Sequence, residues 1–236
     1  MTPLRSLGNA DKVSYDDVFC ATGNAYNIPV LGENYSVDFD GTNDYLLTNS
    51  SSDYTLGTSD FTVEHWIRPD NVSSVQQIID GRMNGNAYTT DWCTYINSDG
   101  TYRFFANGDK ITDSGAMSAD TWYHIALCRS SGTTKMFKNG TQVGSDYSDS
   151  NNYTSTQITM GIHGPDRASY DFDGELSNIR VVIGTALYTS NFTTPTAPLT
   201  SVTNTKLLCA NLSTVTGTTT GTVTAGGNPQ STTGPF

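Results

Sequence analysis

Residues 121–145 read TWYHIALCRSSGTTKMFKNGTQVGS. WYHIALC alternates as a strand does, and KMFK resumes as a second strand across Ser131-Gly132-Thr133-Thr134. Asn139-Gly140 is the pair a tight hairpin turn favours, because both residues tolerate positive φ; it leads into a third strand at Thr141, Gln142 and Val143. The same pattern extends outward. In FTVEHWI (61–67), Phe61, Val63, His65 and Ile67 share one face while Glu64 and Trp66 take the other. QQIID (76–80) is a short strand, and WCTYI (92–96) with TYRFF (101–105) forms a hairpin about Asn97-Ser98-Asp99-Gly100. ITMG (158–161) and LSNIRVVI (176–183) complete the strongest set. No run sustains helical periodicity, and many short antiparallel strands with Gly-rich turns predict an all-β sandwich or barrel.

The ends differ from this body. Residues 1–34 have sparse apolar positions and several acids, and read as an arm. TVTGTTTGTVT (214–224) resembles a low-complexity tail, but Thr and Val are strand formers and Gly226-Gly227-Asn228-Pro229 supplies a turn, so a closing strand or hairpin is predicted. A chain of 236 residues suits one all-β domain. Its acids are almost all Asp, the only glutamates being Glu33, Glu64 and Glu175. A formal charge of -11 argues against nucleic-acid binding and leaves no basic patch for an anionic membrane. MTPLRSLGNADKVSYDD lacks the apolar core of a signal peptide and no later segment could span a bilayer, so synthesis and retention in a cytoplasm are expected. Cys20, Cys93, Cys128 and Cys209 are dispersed without metal-ligand spacing and read as free thiols, with Cys93 and Cys128 in strands.

Four blocks occur in order: SVDFDGTNDYL, SDFTVEHWIRPD, TWYHIALCRSSGTTKMFKNGTQVGS and GIHGPDRASYDFDGELSNIRVVIGTALY. Together they resemble a laminin-G-like domain of the concanavalin A-like jelly-roll superfamily, over about residues 35–236. The resemblance implies an antiparallel two-sheet jelly-roll sandwich with an N-terminal extension. GTALYTSNFTTPTAPLTSVTNTKLLC, with the closing GPF, is similar to a narrower subgroup found in bacteriophage virion proteins of tail-fibre or capsid-decoration type. That implies a virion surface assembled in the host cytoplasm, multiple copies, and an arm at residues 1–34 docking to other virion proteins. His65 stands where the family has an aromatic or aliphatic residue, and reads as a core histidine; a metal pair with His124 has no ligand spacing behind it.

DFDG is written twice, at 38–41 and 171–174. Phe39 and Phe172 point inward, the flanking Asp residues outward, and Gly frees the turn. If the two strands are neighbours, four carboxylates crowd together and need a cation or separate polar partners. Related domains often hold calcium near such loops, which makes Asp40, Asp44 and Asp173 the candidate ligands. For sugars, the loop Arg82-Met-Asn-Gly-Asn-Ala-Tyr-Thr-Thr-Asp-Trp92 mixes aromatic faces with polar groups, and Arg82, Tyr88, Asp91 and Trp92 are the candidate contacts; Trp92 as a core anchor is the competing reading. His163-Gly-Pro-Asp-Arg-Ala-Ser-Tyr170 is a second such loop.

Catalysis has no comparable support. The glucanases of this superfamily carry E-x-D-x-E or a close variant on one strand, and Glu33, Glu64 and Glu175 never reach that spacing. Neither a nucleophile elbow nor a phosphate loop is present. The sequence thus leads to a non-enzymatic virion surface protein with weak adhesion to host glycans. A bacterial carbohydrate-binding adhesion protein is the alternative, and a glycoside hydrolase a distant third.

Overall fold

The computed structural model describes residues 34–82 and 91–236. They form strands β1 (Tyr35–Asp40), β2 (Tyr45–Thr48), β3 (Phe61–Pro69), β4 (Gln76–Asp80), β5 (Cys93–Ile96), β6 (Tyr102–Phe105), β7 (Asp109–Thr112) and β8 (Tyr123–Ser130). After these come β9 (Thr133–Lys138), β10 (Thr141–Ser148), β11 (Thr159–Met160), β12 (Asp173–Ile183), β13 (Thr205–Cys209), β14 (Thr218–Thr220), β15 (Val223–Gly226) and β16 (Gln230–Thr233). Among the described residues, a 3-10 turn covers Ser52–Tyr54. No described helix is long and apolar enough to cross a membrane.

The strands make two antiparallel sheets. The first runs β10-β9-β8-β3-β12-β1-β16, with β13 and β14 continuing beside β12; the second runs β15-β2-β11-β4-β5-β6-β7. β12 is long enough to serve β1 at Asp173–Leu176 and β13 at Ile179–Val182 on the same edge. A bulge between those halves holds Asn178 at φ 53°, and its carboxamide oxygen accepts the Leu199 amide at 2.7 Å. This two-sheet jelly roll settles the sandwich-or-barrel alternative left by the residues in favour of the sandwich, as the family resemblance implied.

The core lies between the sheets and follows the alternation of the strands. Phe61, Val63, Ile67, Ile125, Leu127, Leu176 and Val181 of the first sheet face Leu46, Ile96, Tyr102, Phe104 and Met160 of the second. His65 points inward as well, buried, with Nε2 3.0 Å from the Tyr102 hydroxyl. Burial above all, helped by His124 nearby, pushes its pKa down to about 3, so it stays neutral like the apolar residue it replaces. His65 pairs across the strands with Ile125 whereas His124 pairs with Trp66, so the two rings lie on opposite faces and cannot share a metal. Cys93, Cys128 and Cys209 are free and buried; burial pushes the Cys128 and Cys209 thiols up to about 12.

The Thr-rich C-terminal stretch forms strands, but no hairpin. β15 pairs with β2 in the second sheet while β16 pairs with β1 in the first. The chain changes sheets at Gly227 and Asn228, where the Asn228 amide donates to Asp44 Oδ1 at 2.6 Å. The two sheets also differ on their outer faces. Residues 184–204 lie as a strap across the first sheet: Leu187 N donates to Thr62 Oγ1 (2.8 Å), Phe192 N to the Gly140 carbonyl (2.9 Å), and Tyr188 and Phe192 pack on Ala126, Cys128 and Phe137. The predicted arm, residues 1–34, falls outside the described residues except for Asn34.

Candidate functional site

The two DFDG copies are indeed neighbours. β1 and β12 pair with Asp40 opposite Asp173 and Asp38 opposite Glu175, and Phe39 and Phe172 meet in the core with ring centroids 5.9 Å apart. Gly174 is required by close approach, since a Cβ there would lie 2.2 Å from the Arg68 carbonyl of β3. The acids find separate partners. Asp40 Oδ1 accepts the Thr42 amide (2.9 Å), Asp44 accepts the amides of Asp40 (3.1 Å) and Asn228, Asp171 Oδ1 accepts that of Asn43 (2.6 Å), and Asp173 Oδ2 accepts Asn71 Nδ2 (3.2 Å). Arg68 bridges Glu175 at 2.7 Å and Asp120 at 2.8 Å. Some repulsion persists: partial burial and then the Asp70 charge hold Asp38 above the ordinary carboxylate value. Asp40, Asp44 and Asp173 are engaged in turn and loop hydrogen bonds, and among the described residues no three His, Cys, Asp or Glu side chains gather as a metal site.

The outer face of the second sheet carries a groove of about 260 Å³. Tyr95 of β5, Phe105 of β6 and Tyr170 form its aromatic wall; Gln77, Arg82, Asn97 and His163 supply polar groups. Strand alternation sends Tyr95 and Phe105 outward, because Ile96, Tyr102 and Phe104 take the inward positions. Tyr95 is oriented by its hydroxyl, which donates to Asp109 Oδ1 at 2.7 Å. Tyr170 is 50% exposed. It sits at φ 57°, uncommon for a bulky side chain, with its carbonyl accepting the Gln77 amide at 2.8 Å and its ring edge-on to His163 at 5.5 Å.

One buried carboxylate ties these parts together. Asp80, at the end of β4, is fully buried; its Oδ1 accepts the Arg82 amide (2.8 Å) and Nε (3.0 Å), and its Oδ2 accepts Arg82 Nη2 (2.7 Å) and the Gly164 amide (3.0 Å). Arg82 Nη2 also donates to Gln77 Oε1 at 2.8 Å, and its guanidinium lies 5.5 Å from the Phe105 ring centroid. Gly164 leaves room for this contact: a Cβ there would be 3.0 Å from Asp80 Cγ. Asp80 therefore joins Arg82 to the loop that presents His163 and Tyr170.

Of the expected sugar contacts, only Arg82 among the described residues lines this groove. Tyr88 falls outside the described residues. Trp92 is 1% exposed and belongs to the core, so its ring offers no face for stacking; this corrects the reading of Trp92 as a contact. Asp91 is corrected likewise, being buried with Oδ1 accepting the Thr154 and Ser155 amides, both at 2.9 Å. The second loop, 163–170, contributes His163 and Tyr170. Tyr95 and Phe105 escape a reading by loop composition, although the alternation of WCTYI and TYRFF carries the signal that finds them.

The glutamates do other work. Glu64 is buried beneath the strap, where Oε1 accepts Arg180 Nη2 at 2.6 Å and Oε2 accepts the Tyr188 hydroxyl at 3.0 Å and faces His124 Nε2 at 3.1 Å. Burial alone would raise its pKa, but the His124 hydrogen bond and the Arg180 charge overcome that and hold it below the ordinary value. Glu175 is paired with Arg68, and Glu33 lies outside the described residues. No Asp or Glu lines the groove among the described residues, and residues 83–90 contain neither. An acid/base pair for glycosidic cleavage is therefore not assembled there.

Two antiparallel sheets packed about a buried aromatic core define a two-sheet jelly roll. The chain belongs to the Laminin_G_3 family of the concanavalin A-like lectin/glucanases superfamily, whose model matches residues 40–187. Among solved structures, it is similar to a candidate carbohydrate-binding protein from Bacteroides ovatus, with a TM-score of 0.67 at 18% identity over 87% of this chain and 61% of that one. It is also similar to the heptameric SAP-like pentraxin of Limulus polyphemus, with a TM-score of 0.57 at 16% identity over 86% of this chain and 96% of that one. The chain thus spans about three-fifths of the Bacteroides ovatus protein. No curated protein matches its sequence.

Proposed function

We propose that this chain is a non-catalytic carbohydrate-binding module that seats a sugar ring against Tyr170 in the groove of the second sheet. The observation that carries the reading is the exposed Tyr170 ring, held in a left-handed backbone conformation beside Tyr95, Phe105 and the polar side chains of Gln77, Arg82 and His163. A half-exposed aromatic face suits the apolar C–H surface of a pyranose, and neighbouring amides and imidazole suit its hydroxyls. The fold likeness to a candidate carbohydrate-binding protein supports the reading, and the lack of carboxylates in the groove among the described residues supports the non-catalytic part of it. Calorimetric titration of the full chain with a panel of polysaccharides tests it: binding that disappears in Tyr170→Ala supports it. Retention of full affinity by that variant sinks it.

The biological setting has two readings. A bacterial carbohydrate-binding adhesion protein follows directly from the groove. Display on a bacteriophage particle is favoured by the similarity of residues 184–209 to the virion subgroup, and it would place residues 1–34 against other virion proteins. Many copies on a particle would turn weak single sites into strong attachment. Mass spectrometry of purified particles, with and without deletion of residues 1–34, separates the two: a particle-borne chain lost on deletion supports the virion setting, and absence of the intact chain from particles leaves the bacterial one.

A further inference from the structure

We infer that the groove selects an uncharged pyranoside over an anionic one, an inference that rests on the carbohydrate-binding reading and narrows it. Recognition of a sugar carboxylate or sulfate calls for a cation whose donors are still available to form a charge-assisted pair. In this groove Arg82 is already clasped by the fully buried Asp80 through Nε and Nη2, with a third contact to Gln77, so its charge is neutralised within the protein.

The surroundings carry surplus negative charge. Arg103, beside the groove on β6, serves two acids at once, Asp99 at 2.6 Å and Asp109 at 2.7 Å. His163 Nδ1 lies 3.0 Å from Asp166 Oδ1. Burial would raise the Asp166 carboxyl, but hydrogen bonds from His163, the Ala168 amide and Ser169 outweigh it and keep the group ionised. Arg167, in the same loop, does not line the groove. An anionic sugar on Tyr170 would therefore approach the charge of Asp99, Asp109 and Asp166, which lie beside the groove and not in its lining, and would find no uncommitted cation in the groove wall among the described residues. A neutral sugar needs only the aromatic wall and neutral donors and acceptors. Discrimination of this kind works through the repulsive element as much as the attractive one.

The test is a printed panel of oligosaccharides in matched pairs, each uronic-acid member beside its carboxyl-reduced counterpart, probed with the full chain at physiological ionic strength. Screening there confines electrostatics to within about 8 Å, so local charges and not the overall charge decide the outcome. The expected result is retention on neutral and carboxyl-reduced members, with the acidic partners weaker by about tenfold, and a narrower gap in Asp109→Asn. Preference for the acidic members, abolished by Arg167→Gln, would overturn the inference while leaving the carbohydrate reading intact; so would equal retention of both members. Retention of no member, by a chain shown to be folded by circular dichroism, would remove the carbohydrate reading and this inference together.

Discussion

Replacing Glu64 by Gln tests how the strap is fastened to the first sheet. Glu64 is fully buried and is the sole carboxylate contacting the Arg180 guanidinium in the described ion pairs, with donors at 2.9 and 2.6 Å. The same carboxylate takes the Tyr188 hydroxyl and faces His124 Nε2. The neutral amide in Glu64→Gln would leave Arg180 as a buried cation without its counter-charge, a loss of about 3–5 kcal/mol. For a chain of this size that corresponds to a fall of roughly 6–20 °C in melting temperature. The pH dependence follows from the sign of the shift. The folded pKa of Glu64 lies below its ordinary value of 4.5, so the unfolded state binds the proton more readily. Its stabilisation is fully present above that value and is lost as pH falls through the folded pKa. The gap between wild type and Glu64→Gln should therefore be constant near neutrality and close on acidification. His65, whose pKa is also depressed, destabilises both proteins in acid alike and cancels from the difference. Urea melts across the pH range measure the gap, and the double variant Glu64→Gln/Arg180→Met should recover part of the loss. A single variant as stable as wild type at pH 7, or a gap that persists unchanged in strong acid, would refute the account.

Other expectations concern the groove and the acids. Tyr170→Ala should unfold with wild-type cooperativity yet lose glycan binding by about tenfold or more in calorimetry, since an exposed ring contributes little to the core. Asp80→Asn should cost about 3–5 kcal/mol by stranding Arg82 and should weaken the same glycan; chemical denaturation and calorimetry on one preparation check both effects. Trp92→Ala should cost about 3–5 kcal/mol with no change in affinity for the fraction that remains folded, as befits a core ring. Calcium against chelator should leave the melting temperature within about 1 °C, and a larger rise that Asp173→Ala removes would bring back a calcium site at the DFDG pair.

Most of the architecture is legible in the sequence because it rests on local chemistry. The alternation of residues 61–67 and 122–128 assigns inside and outside directly, and Asn139-Gly140 marks its turn. The Thr-rich stretch reads as strand from propensity, but its division between the two sheets rests on partners far away in the chain: β14 pairs with β13 in the first sheet and β15 with β2 in the second. The site is harder for the same reason. Arg82 and the 163–170 loop stand out by composition, yet what joins them is Asp80, a strand-end acid with no distinguishing neighbours in the chain. Trp92 goes the other way: a loop-flanking tryptophan reads as a sugar platform, whereas its ring is taken into the hydrophobic core.

The strap adds to the case for placing the proposed site on the second sheet. Residues 184–204 cover the outer face of the first sheet with Tyr188 and Phe192, stacked at 3.6 Å, and with the Glu64 ion cluster beneath them. That face is occupied by the chain's own side chains, held by hydrogen bonds from Leu187, Phe192 and Leu199 to three different parts of the sheet. The second sheet instead turns Tyr95 and Phe105 outward and adds Tyr170 at a backbone angle that costs energy. Structure that serves only stability has little reason to hold an aromatic ring half in water by a strained residue. On the proposed carbohydrate-binding reading it does have one, and the buried Asp80 clasp behind the ring would hold the groove formed ahead of binding, which limits the ordering cost.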